Sequence, residues 1–340
     1  MRQVVLGKSG LKVSAVGFGS IPIQRLSEDD AVRLIHRALD LGVTFFDTAS
    51  GYSDSQRKMG QAIRGRRAGL VLATKTAEAT GVGARKDIER SLRELGVGCV
   101  DLYQLHSVPS LESWGEIRGP GGALEVLVEA RRQGLIGHIG FSTHGLDVGL
   151  KLAEEPVFET VQFPFNLVTS EAAERLIPEA RRRDLGFIAM KPLCGGQFTD
   201  AGLAFRFLNA YPDLVPIPGF EHEPEVEQVV QIVESGRTLS GRDRRRAEKM
   251  AAELGKLFCR RCGYCQPCPQ GIPLVTAMSF ESILKRFPRE RVAERFAPDL
   301  AQRAGTCKEC GQCESRCPYK LPIMETVKRS GTRAREIAGT

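Results

Sequence analysis

Short apolar runs alternate with amphipathic stretches along most of the chain. Residues 29–41 place Leu34, Ile35 and Ala38 on one face of a helix, because apolar side chains recur there every three or four positions. The next run, residues 43–46, is short and mostly apolar, which predicts a buried strand. The same two patterns succeed one another as far as residue 233.

This alternation is interpreted as eight strand-and-helix units, although no helix is predicted between the fifth and sixth strands. The predicted strands are 15–18, 43–46, 70–74, 100–105, 136–141, 160–163, 187–190 and 214–217. The predicted helices are 29–41, 56–63, 84–95, 122–133, 170–183, 201–209 and 223–233. Repeated βα units indicate a parallel sheet, and eight of them within roughly 250 residues indicate a (β/α)₈ TIM barrel. A hairpin around Lys8-Ser9-Gly10 is predicted to plug the bottom of the barrel, and the loop 107–122, with Trp114, is predicted to border a pocket.

The length of 340 residues leaves room for a second unit beyond a barrel of roughly 250 residues. Ser240 begins a basic helical stretch that is predicted to close the barrel, and eight of the ten cysteines follow it. We therefore predict a barrel domain over residues 1–255 and an α-helical, ferredoxin-like domain over residues 256–340. The helices predicted in the second domain are 273–287 and 322–329.

The eight clustered cysteines form two similar motifs that both end in Cys-Pro. The motif from Cys307 to Cys317 has the C-x₂-C-x₂-C-x₃-C-P spacing of bacterial ferredoxins, and the motif from Cys259 to Cys268 is one residue shorter. These spacings predict two [4Fe–4S] clusters, with two Cys₄ zinc sites or eight free thiols as the alternatives. The predicted ligands are Cys259, Cys262, Cys265, Cys268, Cys307, Cys310, Cys313 and Cys317.

Hydropathy and charge limit the expected cellular location and binding partners of the protein. No apolar run approaches the roughly 20 residues of a membrane span, and the amino terminus is too short and polar for a signal peptide, so we expect a cytoplasmic protein without a membrane partner. Residues 241–340 carry 21 Lys and Arg against 11 Asp and Glu. Since no nucleic-acid-binding motif accompanies this charge, we expect it to offset the negative clusters and expect no nucleic acid partner.

Four polar side chains lie at or just after the predicted carboxyl ends of strands, where TIM barrels build active sites. They are Asp47, Tyr52, Lys75 and His106. A tyrosine can protonate the alkoxide that hydride addition to a carbonyl leaves, and an adjacent ammonium lowers the pKa of the phenol from about 10. A carboxylate can hold that ammonium charged, and a histidine can donate a hydrogen bond to the carbonyl oxygen. Singly each residue has a purely structural explanation, but the four together predict carbonyl chemistry.

Several segments resemble the aldo-keto reductase superfamily over roughly residues 3–255, and the cysteine-rich end resembles its iron-sulfur branch. The segments are Gly17-Phe18-Gly19, Asp47-Thr48-Ala49-Ser50-Gly51-Tyr52, Ala73-Thr74-Lys75, Asp101-Leu102-Tyr103-Gln104-Leu105-His106 and Ile139-Gly140-Phe141-Ser142. The resemblance implies an NAD(P)H-linked oxidoreductase that reduces small carbonyl compounds or oxidises alcohols. It implies that Tyr52 is the acid and base and that Lys75 is its partner. Asp47 would anchor Lys75, and His106 would orient the carbonyl.

The resemblance also implies where a nicotinamide cofactor binds. Ser142 and Gln162 match positions that hold the nicotinamide carboxamide, and Pro218 with Gly219 matches the loop along the adenosine phosphates. Lys191 is expected either to contact the pyrophosphate or to be solvated.

The cofactor loops depart from the family pattern at several positions. Thr143 stands where the family usually has Asn, and Met190 stands where it often has a stacking Tyr. Around Glu221 and Glu225, acidic residues replace those that commonly receive a 2′-phosphate. A carboxylate would repel that phosphate and could accept hydrogen bonds from a ribose diol, so NAD and NADP both remain open.

In the two-cluster ferredoxins that the cysteine motifs resemble, the last cysteine of each motif binds the other cluster. One cluster would then take Cys259, Cys262, Cys265 and Cys317, and the other Cys307, Cys310, Cys313 and Cys268. The clusters would exchange electrons, with a ferredoxin-like carrier as a partner, or would only stabilise the fold. The alternative function, favoured by the departures in the cofactor loops, is a redox-sensing or regulatory nucleotide-binding protein without turnover of its own.

Overall fold

Ten strands make up one hairpin and one eight-stranded parallel sheet in the computed structural model, which describes residues 1–339. They are β1 (Gln3–Val5), β2 (Lys12–Ser14), β3 (Phe18–Gly19), β4 (Phe45–Asp47), β5 (Val71–Thr76), β6 (Val100–Leu105), β7 (Ile136–Ser142), β8 (Thr160–Pro164), β9 (Gly186–Met190) and β10 (Val215–Ile217). From β3 to β10 each strand pairs in parallel with its neighbours in sequence. The predicted strands are all present, although the first lies over Phe18–Gly19 instead of 15–18.

Backbone hydrogen bonds join the first and last strands of this sheet and make it a barrel. Gly17 N–H donates to the carbonyl of Pro216 at 2.9 Å, and Gly19 N–H donates to that of Pro218 at 2.7 Å. A Cβ at Gly19 would lie 2.8 Å from the carbonyl oxygen of Ile217, so the seam needs a glycine there. The predicted TIM barrel is confirmed.

The hairpin of β1 and β2 packs against the amino-terminal end of the barrel. Gly7, in its turn, bridges Leu185, and Lys8 N–H donates to the carbonyl of Asp184 at 2.6 Å just before β9 begins. This hairpin therefore closes the bottom of the barrel, as predicted, and leaves the opposite end for a site.

Ten helices surround or follow the barrel strands. They are α1 (Glu28–Asp40), α2 (Ser55–Ala62), α3 (Gly81–Leu95), α4 (Leu111–Arg118), α5 (Ala123–Arg132), α6 (Leu146–Ala153), α7 (Leu176–Arg182), α8 (Ala201–Leu208), α9 (Glu223–Ser235) and α10 (Gly241–Gly255). Neither α4 nor α6 is predicted from the sequence, because each is short and contains a glycine. Trp114 in α4 is buried against Phe158, while the expectation that the loop 107–122 borders a pocket stays a prediction.

The segment after the barrel is helical and has a hydrophobic core of its own. Its helices are α11 (Leu274–Arg286), α12 (Arg289–Arg291), α13 (Ala297–Arg303), α14 (Gln312–Arg316) and α15 (Ile323–Ala338). Phe280, Leu300 and Val327 lie in this second core, separate from that of the barrel. No helix within residues 1–339 is long and apolar enough to cross a membrane.

This helical tail lies across the carboxyl ends of the barrel strands. Arg291 donates from Nη2 to the carbonyl of Gly51 at 2.6 Å, in the loop between β4 and α2. Arg260 donates to the carbonyl of Val168 at 2.8 Å, in the loop after β8. The mouth of the barrel is therefore roofed by the tail.

Candidate functional site

A buried ion pair between Asp47 and Lys75 lies at the mouth of the barrel. Asp47 is the last residue of β4, and its Oδ1 accepts a hydrogen bond from Lys75 Nζ of β5 at 2.7 Å. The ammonium also donates to the carbonyl of Thr48 at 2.6 Å. The two side chains are only 4% and 1% exposed. Removing one partner would leave an uncompensated buried charge, so each ion fixes the other in position.

Tyr52 and His106 lie beside this pair. Tyr52 is half-buried in the loop between β4 and α2, and its ring centroid is 5.6 Å from Lys75 Nζ. His106 follows β6, and its ring meets that of Tyr52 edge-on with centroids 5.6 Å apart. The structure thus brings together the four side chains that the sequence predicts to act together.

The pKa of Tyr52 is raised above its ordinary value, chiefly because burial disfavours the phenolate. The charge of Lys75 acts in the opposite direction, as expected from the sequence, but burial outweighs it. Tyr52 is therefore a neutral phenol that still carries its proton. In this protonated state the Tyr52 hydroxyl can donate a proton, whereas it would have to lose that proton first to act as a base.

Burial, together with the positive charge of Lys75, lowers the pKa of His106 to about 3. His106 is consequently neutral at physiological pH. A neutral imidazole can donate one hydrogen bond to a carbonyl oxygen without competing with Tyr52 as the proton donor.

The rate of turnover is expected to show no titration of His106 between about pH 5 and pH 8. With a pKa of about 3, His106 is neutral throughout this range, and its charged form predominates only when the pH falls below about 3. Profiles of kcat/KM against pH for the wild type and for His106→Gln measure this. We expect the variant to be about 100-fold slower with an unchanged profile shape. An acid limb near pH 6.5 that His106→Gln abolishes would contradict the assignment.

The residues predicted to hold a nicotinamide carboxamide are buried at the same end of the barrel. Ser142, at the end of β7, accepts a hydrogen bond from Ser107 N–H at 2.7 Å. Gln162, in β8, accepts one from Gln104 Nε2 at 2.9 Å. Pro218 and Gly219 form the barrel seam, where Gly219 packs closely against Pro22. Their roles toward a cofactor stay predictions.

Lys191 contacts a histidine on the neighbouring loop. Its Nζ lies 2.6 Å from Nε2 of His144, whose Nδ1 lies 3.1 Å from the hydroxyl of Ser107. Burial lowers the pKa of both Lys191 and His144. Lys191 thus has a defined side-chain contact, and its contact with a pyrophosphate stays a prediction.

The carboxylates near the predicted adenosine loop are already engaged within the protein. Glu225 accepts backbone hydrogen bonds from Glu221 at 2.8 Å and His222 at 3.2 Å, which caps α9. Glu221 itself pairs with Arg25. A ribose diol would have to compete with these contacts.

The eight clustered cysteines line two separate cavities, four to each. The first cysteine cavity is lined by Cys259, Cys262, Cys265 and Cys317. The second cysteine cavity is lined by Cys268, Cys307, Cys310 and Cys313. Each cavity therefore takes three cysteines from one motif and the last cysteine of the other. Within residues 1–339, no three Cys, His, Asp or Glu side chains converge on a single metal-ion position.

Comparison with known proteins settles the family. The profile described as Aldo/keto reductase family matches residues 15–204, which is more than half of the chain. The chain belongs to the aldo/keto reductase family. A second profile, described as a 4Fe-4S dicluster domain, matches residues 258–322. The protein is therefore an aldo/keto reductase with a carboxyl-terminal iron-sulfur domain, and the resemblance seen in the sequence is confirmed.

Solved structures of other aldo-keto reductases share the barrel. One from Bacillus halodurans, in its holo form, has a TM-score of 0.65 and 22% identity over 74% of this chain and 96% of that one. One from Klebsiella pneumoniae, in complex with NADPH, has a TM-score of 0.61 and 23% identity over 74% of this chain and 95% of that one. Identities this low show a common fold and nothing finer.

Three groups in this aldo/keto reductase were missed by sequence reasoning. Gln104, in β6, connects Gln162 to the pair of Asp47 and Lys75, with its Nε2 3.4 Å from Oδ2 of Asp47. A buried-strand position occupied by an amide two residues before His106 is the signal that could have indicated it. Arg261 and Arg286 come from the tail and act electrostatically on Tyr52, which no local pattern indicates.

Proposed function

We propose that this aldo/keto reductase reduces small carbonyl compounds, or oxidises the corresponding alcohols, with a nicotinamide dinucleotide. The observation that carries the proposal is the assembly of Asp47, Tyr52, Lys75 and His106 at the roofed mouth of the barrel. A phenol that keeps its proton, a fixed ammonium and a neutral imidazole are the groups that protonation of a developing alkoxide requires.

The division of work among these residues follows from their contacts. A bound nicotinamide would supply the hydride. Tyr52 would donate its proton to the alkoxide oxygen, and Lys75, held by Asp47, would stabilise the resulting phenolate. His106 would donate a hydrogen bond to the carbonyl oxygen and so orient it.

Ser142, Gln162, Lys191, Pro218 and Gly219 would hold the cofactor. Support comes from their place at the carboxyl end of the barrel and from the NADPH bound to the related Klebsiella pneumoniae enzyme. Glu225 caps α9 and Glu221 pairs with Arg25, so neither carboxylate is free to bind a ribose diol, which is the contact that would favour NADH. NADPH is therefore as suitable a donor as NADH.

We further propose that residues 256–340 form a domain separate from the barrel of residues 1–255 and bind two [4Fe–4S] clusters. Each cysteine cavity would hold one cluster, which transfers single electrons when bound. Two separate hydrophobic cores support the division. Basic side chains line both cavities, Arg260 the first and Arg316 the second, and would offset the negative charge.

The different exposure of the cysteines in the two cavities supports a path for electrons from the protein surface to the barrel. Cys310 of the second cavity is exposed, so a ferredoxin-like partner could dock there. Cys265 and Cys317 of the first cavity are buried, and Cys259 also borders a larger cavity beside the barrel. Electrons would then pass from the surface through the second site and the first site to the barrel.

Anaerobic titration of the iron-loaded protein with NADH and NADPH tests this function. We expect one of the two dinucleotides to bind and to support reduction of an aldehyde or ketone. The fall in absorbance at about 340 nm measures oxidation of the dinucleotide, and the visible absorbance measures the redox state of the clusters in the same assay. Cluster reduction by a dinucleotide without turnover of any carbonyl or alcohol would instead identify a redox sensor. Failure of both dinucleotides to bind would overturn the proposal.

A further inference from the structure

A carboxylate on helix α3 holds the loop that carries Tyr52. Oδ2 of Asp87 accepts a hydrogen bond from the hydroxyl of Ser50 at 2.8 Å and another from that of Thr76 at 2.7 Å. Ser50 lies two residues before Tyr52, and Thr76 follows Lys75 at the end of β5. One carboxylate oxygen therefore connects the close neighbours of Tyr52 and of Lys75.

Asp87 occupies a helix position where an apolar residue would ordinarily lie. It shares the buried face of α3 with Ala84, Ile88 and Ser91, three or four positions away or directly beside it, and its side chain is only 13% exposed. Burial of a carboxylate is unfavourable unless hydrogen bonds and a counter-charge replace its hydration. The two hydroxyls and Nη2 of Arg90, which lies 2.7 Å from Oδ1, supply these contacts. Packing of the helix alone does not require a carboxylate here.

Arg90 extends the contact to the backbone of the same loop. Its Nη2 donates to the carbonyl of Ser50 at 3.0 Å, in addition to its bond with Asp87. The N–H of Ser50 donates to the carbonyl of Lys75 at 3.0 Å. The N–H, carbonyl and hydroxyl groups of Ser50 are therefore all bound, either to α3 or to the strand that carries Lys75.

The loop conformation that these contacts fix is strained. Ser53, directly after Tyr52, has a φ of 36°, in the left-handed region that residues with a Cβ rarely adopt. Its hydroxyl donates to Oε1 of Gln24, in the loop after β3, at 2.7 Å. Such a conformation persists only where the surrounding contacts over-determine it. Loss of the contacts to α3 would therefore let the loop relax and would move Tyr52 with it.

We propose that Asp87 is a positioning residue that keeps the phenol of Tyr52 where it can protonate the substrate. It acts through Ser50 on the loop and through Thr76 on the end of β5, so it sets the position of Tyr52 relative to Lys75. This inference rests on the proposed carbonyl chemistry and adds to it a residue that acts through others. Displacement of a reacting group by about 1 Å can slow a reaction about 100-fold, so a loop contact of this kind has a measurable effect on turnover.

The test compares variants of Asp87 in the iron-loaded full chain, with 4-nitrobenzaldehyde as the probe and NADH or NADPH as the donor. We expect Asp87→Ala to lower kcat by about 10- to 100-fold and to leave the dissociation constant of the dinucleotide unchanged. Asp87→Asn should give an intermediate kcat. Its amide oxygen can still accept from both hydroxyls, whereas its amide nitrogen cannot accept from Arg90.

The matched control is Glu159→Ala. Glu159 is 15% exposed, contacts Arg131 and His138, and lies just before β8 at the amino-terminal end of the barrel. Its removal should cost a comparable set of polar contacts but leave kcat within about threefold of the wild type. An Asp87→Ala variant as active as this control would overturn the proposal.

Combining Asp87→Ala with Tyr52→Phe separates positioning from general structural damage. Without the phenol, Asp87 has nothing to position, so the double variant should be within about twofold of Tyr52→Phe alone. A further fall of about 10-fold or more would show that Asp87 acts independently of Tyr52, and would overturn the proposal. Single-turnover measurements with excess enzyme make these slow rates measurable.

The outcomes also separate this inference from the function on which it rests. A slow Tyr52→Phe beside a fully active Asp87→Ala leaves the function intact and overturns the positioning role, whereas a fully active Tyr52→Phe overturns both. If the wild type does not reduce the probe, hydrogen exchange at the amides of Ser50 and Tyr52 decides, since both are hydrogen-bonded within the protein. Faster exchange in Asp87→Ala than in Glu159→Ala supports the hold on the loop, and equal exchange overturns it.

Discussion

A Tyr52→Phe variant is expected to turn over carbonyl substrates about 1,000-fold more slowly than the wild type. The phenylalanine ring keeps the packing against His106 but lacks the proton that the alkoxide must receive. Because the lost interaction belongs to the transition state, the effect should lie in kcat, with the affinity for the dinucleotide unchanged. Steady-state kinetics and fluorescence titration of the dinucleotide measure the two quantities.

The matched control removes the hydroxyl of a tyrosine outside the group of four candidate residues. Tyr211 lies between α8 and β10 and packs edge-on against Phe165 with centroids 4.8 Å apart. Tyr211→Phe should leave kcat within about twofold of the wild type. If Tyr52→Phe is as active as this control on every carbonyl and alcohol substrate, the four residues are not catalytic.

The second large effect is expected on iron content. Replacing Cys317 by alanine should lower it from about eight to about four atoms per chain, because one of two four-iron clusters loses a ligand. Cys265→Ala should have the same effect, since both thiols line the first cysteine cavity although they belong to different motifs. Iron and acid-labile sulfide analysis, with electron paramagnetic resonance of the reduced protein, measure the loss. Cys99→Ala, outside both cavities, is the control.

Double variants test the crossed arrangement of ligands. Combining Cys317→Ala with Cys265→Ala should remove no more iron than either alone, whereas combining it with Cys310→Ala should remove nearly all of it. Cys310 belongs to the same sequence motif as Cys317 but lines the second cysteine cavity. If Cys317→Ala and Cys310→Ala together cost only one cluster, each motif binds its own cluster and the crossed assignment is wrong.

The sequence predicts the barrel well because its signals are local and repeated. An apolar face such as that of α1 indicates a helix wherever it lies in the fold, and Ala31, Leu34, Ile35 and Ala38 are indeed its buried residues. The short helices α4 and α6 escape prediction because their few turns carry little periodicity. Helix α15 continues nine residues beyond its predicted end at Arg329 because it packs on α11 and α13, a tertiary effect.

Some residues of the candidate site can also be predicted from local signals in the sequence, and others cannot. Asp47, Lys75 and His106 can be located from the sequence because strand ends of a parallel barrel always meet at one mouth. Arg286 could not, since it lies more than 200 residues after Tyr52 and approaches it only because the tail folds over the barrel. The net direction of the Tyr52 pKa was also beyond sequence reasoning, because burial outweighs the nearby ammonium.

The hydrogen bond from Arg291 to Gly51 joins the iron-sulfur domain to the loop that carries Tyr52. Folding of the barrel alone would leave that loop without this restraint and the mouth without its roof. Under the proposed function, completion of the reductive centre would depend on the supply of iron and sulfide to the newly made protein. Oxygen damage to the metal sites would for the same reason abolish chemistry that itself uses no metal.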